Sequence, residues 1–179
     1  RKTKLFFADR DGFMELLVKD IQLAIKQSER LGLIPVFRLN GTSDLSWEKY
    51  PVRKSSGYYY ANIFEAFPNV QFYDYTKVLG RKVKGISNYH LTFSAADGND
   101  GDVTKAIQQG YNIATVFGIK KTVPMPELYL GTPVYNGDES DLRFLDPKGV
   151  IVGLYAKGKA KKDTSGFVKY PTISLKIAA

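Results

Sequence analysis

The stretch NYHLTFSAADGNDGDVTKAIQQGYNIATVF, residues 88–117, reads as strand, helix, strand. Tyr89 to Phe93 and Ile113 to Phe117 are rich in β-branched and aromatic residues, whereas DVTKAIQQG, Asp102 to Gly110, has helical spacing behind Asp100 or Asp102 as a cap. A helix between two apolar strands is a crossover unit, and such units build parallel sheets.

The alternation extends outward from this unit. Leu33 to Leu39, Val70 to Tyr75, Thr132 to Tyr135 and Val150 to Tyr155 read as further strands, and Tyr60 to Phe67, closed by Pro68, reads as helical. Asp11 to Arg30 carries the clearest helical period, with Phe13, Leu16, Leu17, Ile21, Ala24 and Ile25 as its apolar stripe, Asp11 as cap and Gly32 as terminator. Val168 to Ala179, with alternating Ile173, Leu175 and Ile177, reads as an edge strand. The expected architecture is a single α/β domain over residues 1–179, with a parallel or mixed sheet of about six strands.

Composition narrows the chemistry. A chain of 179 residues that is 44% hydrophobic can bury one substantial core. Its formal charge of +8 favours nucleic acid or another polyanion as partner, since clustered lysine and arginine release counterions; a solvated basic surface is the plainer origin of the same charge. The absence of cysteine excludes a disulfide, a thiol nucleophile and a thiolate metal site within these residues. No apolar run approaches a membrane span, and RKTKLFFADR lacks the apolar centre of a secretion signal, so the expectation is a cytoplasmic protein of the host cell without a membrane role. The first residue is Arg1 rather than Met, which is compatible with a segment upstream.

Polar residues gather just after the strands. Arg38 and Asn40 follow one, Asp74 and Lys77 end another, Ser94 follows a third, and Asn136 and Asp138 follow a fourth. In parallel α/β folds the carboxyl ends of the strands carry the ligand site. Arg38, Asn40, Ser43, Lys77, Ser94, Asn136 and Arg143 are therefore candidate ligand-binding residues, and Asp74, Asp138 and His90, the sole histidine, are candidate acids or bases. Arg38 within an apolar strand needs either a ligand or a buried acid, and Asp74 is the nearest such acid in the pattern. Ser43 and Asp44 either cap a helix starting near Leu45 or leave its N–H groups open to an anion.

FYDYTK, Phe72 to Lys77, places aromatics beside a lysine, an arrangement that stacks bases in single strands or simply packs a sheet. Asp138, Glu139 and Asp141 suit a hard cation, with Arg143 and nearby lysines as the alternative counter-charges; the residues identify no metal and no cofactor. KGKAKKDTSGF, Lys157 to Phe167, reads as a mobile basic loop, with Lys157, Lys159, Lys161 and Lys162 as phosphate contacts or as exposed charge. Because the acids precede the strand Val150 to Tyr155 and the lysines follow it, a simple parallel sheet would set them at opposite edges, unless the turn after Tyr135 crosses the top. Tyr58, Tyr59 and Tyr60 are candidates for a protein interface.

FRLNGTSDLSWE (37–48), FYDYTK (72–77), NYHLTFS (88–94) and VYNGDESDLRFLDPKGVIVGLYAKGKAKKDTSGFV (134–168) together resemble the "gene product eighty-eight" family of phages and plasmids. The resemblance implies a phage or mobile-element setting and an α/β partial barrel, and its strand pattern is similar to part of a radical S-adenosylmethionine barrel. Longer members carry a cysteine-rich N-terminal segment that these residues lack. It brings no reaction with it. Three functions are compatible with the sequence: a basic protein binding nucleic acid or another polyanion; a barrel-type enzyme acting on a phosphate-bearing or nucleotide-like substrate; and an inhibitor or structural protein that binds another protein.

Overall fold

In the computed structural model, residues 2–54 and 57–171 are described. The elements are α1 (Lys2–Ala8), α2 (Arg10–Arg30), β1 (Val36–Phe37), β2 (Val52–Arg53), β3 (Tyr59–Tyr60), α3 (Ile63–Ala66), β4 (Gln71–Thr76), β5 (Tyr89–Ser94), α4 (Asp100–Gln108), β6 (Asn112–Phe117), β7 (Leu128–Tyr129), β8 (Thr132–Asn136), β9 (Ile151–Tyr155) and β10 (Val168–Lys169). The chain divides into two compact units, Arg1–Asp74 with Gly80–His90 and Tyr75–Leu79 with Leu91–Ala179. The fold is α/β with a mostly parallel sheet, and the strand order of neither unit closes into a barrel.

In the first unit β1 pairs with β4 in parallel, and β2 with β3 antiparallel. The Asp9 carboxylate, rather than that of Asp11, caps α2 by accepting from the Gly12 N–H at 2.9 Å, and the helix ends just before Gly32, as its sequence implies. The buried stripe is Met14, Val18 and Ile21, turned about one residue from the expected one, and Leu16 is exposed. The rotation has a visible cause. The unforeseen α1 packs on α2, and its Phe6 sits edge-on to Phe13, Trp47 and Tyr50, so Phe13 turns toward α1 instead of the centre of the stripe. Leu33 to Leu39 yields only the two residues of β1, because Leu33 and Ile34 remain exposed and gain nothing from sheet burial.

The second unit holds the crossover read from residues 88–117 from Leu91 onward, the first two residues of β5 falling in the first unit. Its strands run in the order β5–β6–β9–β8–β7, with all neighbours parallel except β7 and β8, and β10 joins β6 in parallel. β5 pairs with β6 from Asn112 to Ala114, and β10 takes over at Val116 and Phe117. Val103 and Ala106 of α4 close over Phe93, Ile113, Phe117 and Ile151, an apolar core in which each buried Phe or Ile contributes on the order of 2 kcal/mol. Gly153 sits mid-strand in β9 because a side chain there would press within 3.1 Å of Val134, Met125 and Phe117. The alternation of Ile173, Leu175 and Ile177 lies outside the described residues.

Asn112 starts β9 beside β6. Its buried amide oxygen accepts from the N–H groups of Gly149 at 2.7 Å and Val150 at 3.3 Å, while its nitrogen donates to the Pro147 carbonyl at 2.8 Å. Asn112→Ala strands these backbone groups and lowers unfolding stability by about 2–4 kcal/mol in urea titrations.

Candidate functional site

The FRLNGTSDLSWE segment of the first unit is organised around Asn40. The Asn40 side-chain oxygen accepts from Ser43 Oγ at 2.9 Å, from the Leu45 N–H at 3.0 Å and from Trp47 Nε1 at 3.0 Å, and its nitrogen donates to the Leu45 carbonyl. Its backbone N–H donates to Asp74 Oδ1 at 2.6 Å. Asn40 and Ser43 thus lock their own loop, and the expected helix near Leu45 is only a short 3-10 turn at Trp47–Lys49. Arg38 is exposed and lines a groove of about 480 Å³ with Phe6, Phe13, Leu17, Ile21 and Trp47.

Asp74 is fully buried at the centre of a polar chain. Tyr89 donates to Asp74 Oδ2 at 3.0 Å, Arg81 Nη2 donates to the Tyr89 hydroxyl at 3.2 Å, and Arg81 is forked onto Glu48 with Asp44 at 3.6 Å. The guanidinium joined to Asp74 through Tyr89 is therefore that of Arg81, which the strand pattern did not single out, and the charge of Arg38 has a smaller effect on Asp74 than that of Arg81. Burial pushes the Asp74 carboxyl from 3.8 up to about 6, against the pull of the Asn40 N–H, Tyr89 and Arg81. Burial and the Asp74 charge likewise push the Tyr89 phenol up. The aromatic faces near Asp74 are packed: Phe64 stacks on Tyr89 at 3.9 Å and meets Phe72 edge-on at 5.2 Å, and Phe72 and Tyr73 are buried, so neither offers a ring to a base.

The second unit gathers its polar strand ends differently. Asp138, just beyond β8, accepts from the Tyr155 N–H at 3.0 Å and from Lys157 Nζ at 2.6 Å. The acid and the first lysine of the basic run therefore share one side of the sheet. Asp138 belongs to the turn after β8, which runs parallel to β9, and opposite edges would follow only if it led directly into β9. Burial alone would raise the Asp138 carboxyl, but the hydrogen bonds from Lys157 and Tyr155 and the charges of Lys157 and Lys121 hold it below the ordinary range.

Beside this pair lies a cleft of about 580 Å³ at the carboxyl ends of β6 and β9, lined by Gly118, Lys120, Lys121, Tyr155, Lys157, Lys161 and Tyr170 among others. Four lysines face one concavity. Lys120 and Lys121 follow β6 within four residues, as Lys157 follows β9 within two, and the same strand-end rule would have found them in the IKKT sequence. Lys159 and Lys162 are exposed on the 3-10 turn Gly158–Lys162 and do not line the cleft. The basic segment is built rather than loose: Asp163 accepts from Ser165 Oγ and from the Val168 N–H, fixing the return into β10.

Arg143 is not a ligand contact. It is completely buried, paired with Asp146 at 3.3 Å and donating to the Gly137 carbonyl at 3.1 Å, and burial raises the Asp146 carboxyl despite that pairing. Asn136 bonds Glu139 and the Asp138 N–H, which shapes the turn. With Asp138 and Glu139 so engaged and Asp141 exposed, the acidic turn does not converge on a cation; among the described residues no three His, Asp or Glu side chains come together as a metal site. Ser94 is half-buried and its carbonyl accepts from Asn99, Lys77 is exposed, and His90 is half-buried in β5. Asp74 and His90 belong to the first unit and Asp138 to the second. Tyr58 and Tyr59 are exposed beside and on the β2–β3 hairpin, where Arg53 lies over Tyr59.

These features define an α/β protein with a lysine-lined cleft at the carboxyl ends of parallel strands. The family described as Gene product 88 matches residues 1–171, and the chain belongs to that family. No curated protein and no solved structure matches it. Among the described residues no helix is long and apolar enough to cross a membrane.

Because folded Asp74 holds its proton more tightly than the unfolded chain, stability falls as pH rises between 3.8 and about 6 and levels above that. Through this group, moving from pH 7 to pH 5 adds about 1 kcal/mol to unfolding stability. Asp74→Asn loses that increment, read as the difference in denaturation midpoints of the two proteins at both pH values. Identical pH slopes in the two would show that Asp74 titrates normally.

Proposed function

We propose that the second unit binds a phosphate-bearing polyanion, nucleic acid in the first instance, through the cleft at the ends of β6 and β9. The observation that carries this reading is the convergence of Lys120, Lys121, Lys157 and Lys161 on one concavity of about 580 Å³. Ammonium groups on separate strand ends contact successive phosphates and release the counterions those phosphates hold. A convergent set differs physically from scattered surface charge, because its field adds up where a ligand would sit.

The carboxyl nearest the lysines favours binding over proton transfer. Asp138 is held ionised by Lys157 and the Tyr155 N–H, which suits it to position a lysine and ill suits it to donate a proton. Lys157 remains largely exposed in that pairing and can reach a phosphate while staying anchored.

The test is fluorescence anisotropy with a labelled oligonucleotide across a salt series. Lys120→Ala with Lys121→Ala, and separately Lys157→Ala with Lys161→Ala, should each weaken binding about tenfold at low salt. Each should also flatten the dependence of log Kd on log salt by about one to two. Lys159→Ala with Lys162→Ala removes the same charge outside the cleft and should have the smaller effect. Equal effects from all three pairs, or no binding at low salt, would sink the cleft as the site.

A further inference from the structure

We propose that Tyr170, seated on Gly118, is a base-stacking platform at the mouth of the lysine cleft, so that the polyanion taken there is a single strand with unpaired bases. This rests on the phosphate-binding reading above and narrows its ligand.

The platform arises from the way β6 changes partners. β5 leaves β6 after Ala114, and β10 occupies the freed edge at Val116 and Phe117. The Gly118 N–H then donates to the Lys169 carbonyl at 2.9 Å, which brings Tyr170 directly alongside Gly118. A side chain on Gly118 would strike the tyrosine ring at Cε1, and would come within 2.7 Å of Cζ and 2.8 Å of Cδ1. Gly118 does not have the left-handed φ seen at Gly149 or Gly158, so what matters at this position is the space left for the ring.

Tyr170 nevertheless stays 66% exposed. An aromatic ring with one side resting on backbone and most of its area in water is poorly explained by core packing. Its setting supplies a reason for it. Tyr170 lines the same cavity as Lys120, Lys121, Lys157 and Lys161, so a ring and four ammonium groups meet in one place. Tyr155 lines it as well, its ring held by a hydroxyl that donates to the Val123 carbonyl at 2.9 Å. Positive charge tracking a backbone beside open aromatic rings is the combination that recognises single strands without reading their sequence. Duplex bases are already stacked and paired, and a polyphosphate has no ring to offer.

The experiment compares a labelled oligothymidylate, the same oligonucleotide with abasic positions, the corresponding duplex and inorganic polyphosphate on the full chain. Wild-type protein should bind the intact single strand roughly tenfold more tightly than the abasic strand, the size expected for stacking one base. Tyr170→Ala should erase that difference, Tyr170→Trp should keep it, and Gly118→Ala, which displaces the ring, should reduce it while thermal stability stays close to wild type. The ratio of oligothymidylate affinity to polyphosphate affinity should fall with Tyr170→Ala and with Gly118→Ala and hold with Tyr170→Trp. If intact and abasic strands bind alike, or if Tyr170→Ala lowers all ligands equally, the stacking platform is overturned while the polyanion site stands. If nothing binds, including polyphosphate, both fall.

Discussion

The parallel pairing of β6 with β9, in register from Ile113 opposite Ile151 to Phe117 opposite Tyr155, is the constraint on which the candidate site depends. Parallel strands end on the same side, so whatever follows Phe117 lies beside whatever follows Tyr155. The Ala156 N–H continues the ladder by donating to the Phe117 carbonyl at 3.0 Å, which carries the alignment to the edge of the cleft. β8, parallel to β9 on its other edge, delivers Asp138 to the same side, where its carboxylate ties down Tyr155 and Lys157. Four lysines otherwise repel one another, and the geometry that holds them together is backbone hydrogen bonding, which is insensitive to their charge.

The first unit is organised by a different economy of polar groups. Asp74 is fully buried, and each of its oxygens takes a protein donor, one from the Asn40 backbone and one from Tyr89. Asn40 in turn satisfies Ser43, Leu45 and Trp47, and Arg81 satisfies Tyr89 and Glu48. Such a network is stabilising only when complete, because every buried member left without a partner costs its full desolvation. Residues that look like a binding motif in one dimension are here consumed by one another.

Much of the fold was legible. Tyr89 to Phe93, Ile113 to Phe117, Thr132 to Tyr135 and Val150 to Tyr155 each fall within a residue or so of an observed strand, because their apolar runs are bounded by turn residues. The two-residue strands β2, β3 and β7 were not, since a pair of residues carries no periodicity to read, whereas β10 falls at the start of the edge strand read from Val168 onward. Of the candidate site residues, the lysines gathered on the strand-end pattern could be found in advance, whereas the burial of Arg143 could not. An arginine between Leu142 and Phe144 looks the same in sequence whether it faces a ligand or Asp146, and only the closing of Gly137 over its guanidinium decides the matter.

The sequence by itself determined the α/β alternation, the positions of its main strands and the fact that lysines follow two of them, because hydrophobic period and turn chemistry act over a few residues. Tertiary structure alone decided which strand ends become neighbours, which is why Lys120 and Lys121 join Lys157 and Lys161 while Lys159 and Lys162 do not. It also decided that Tyr170, fifty-two residues from Gly118 along the chain, rests on it in space. Contacts of that separation depend on the order and direction of strands in a sheet, and no local pattern of residues encodes that order.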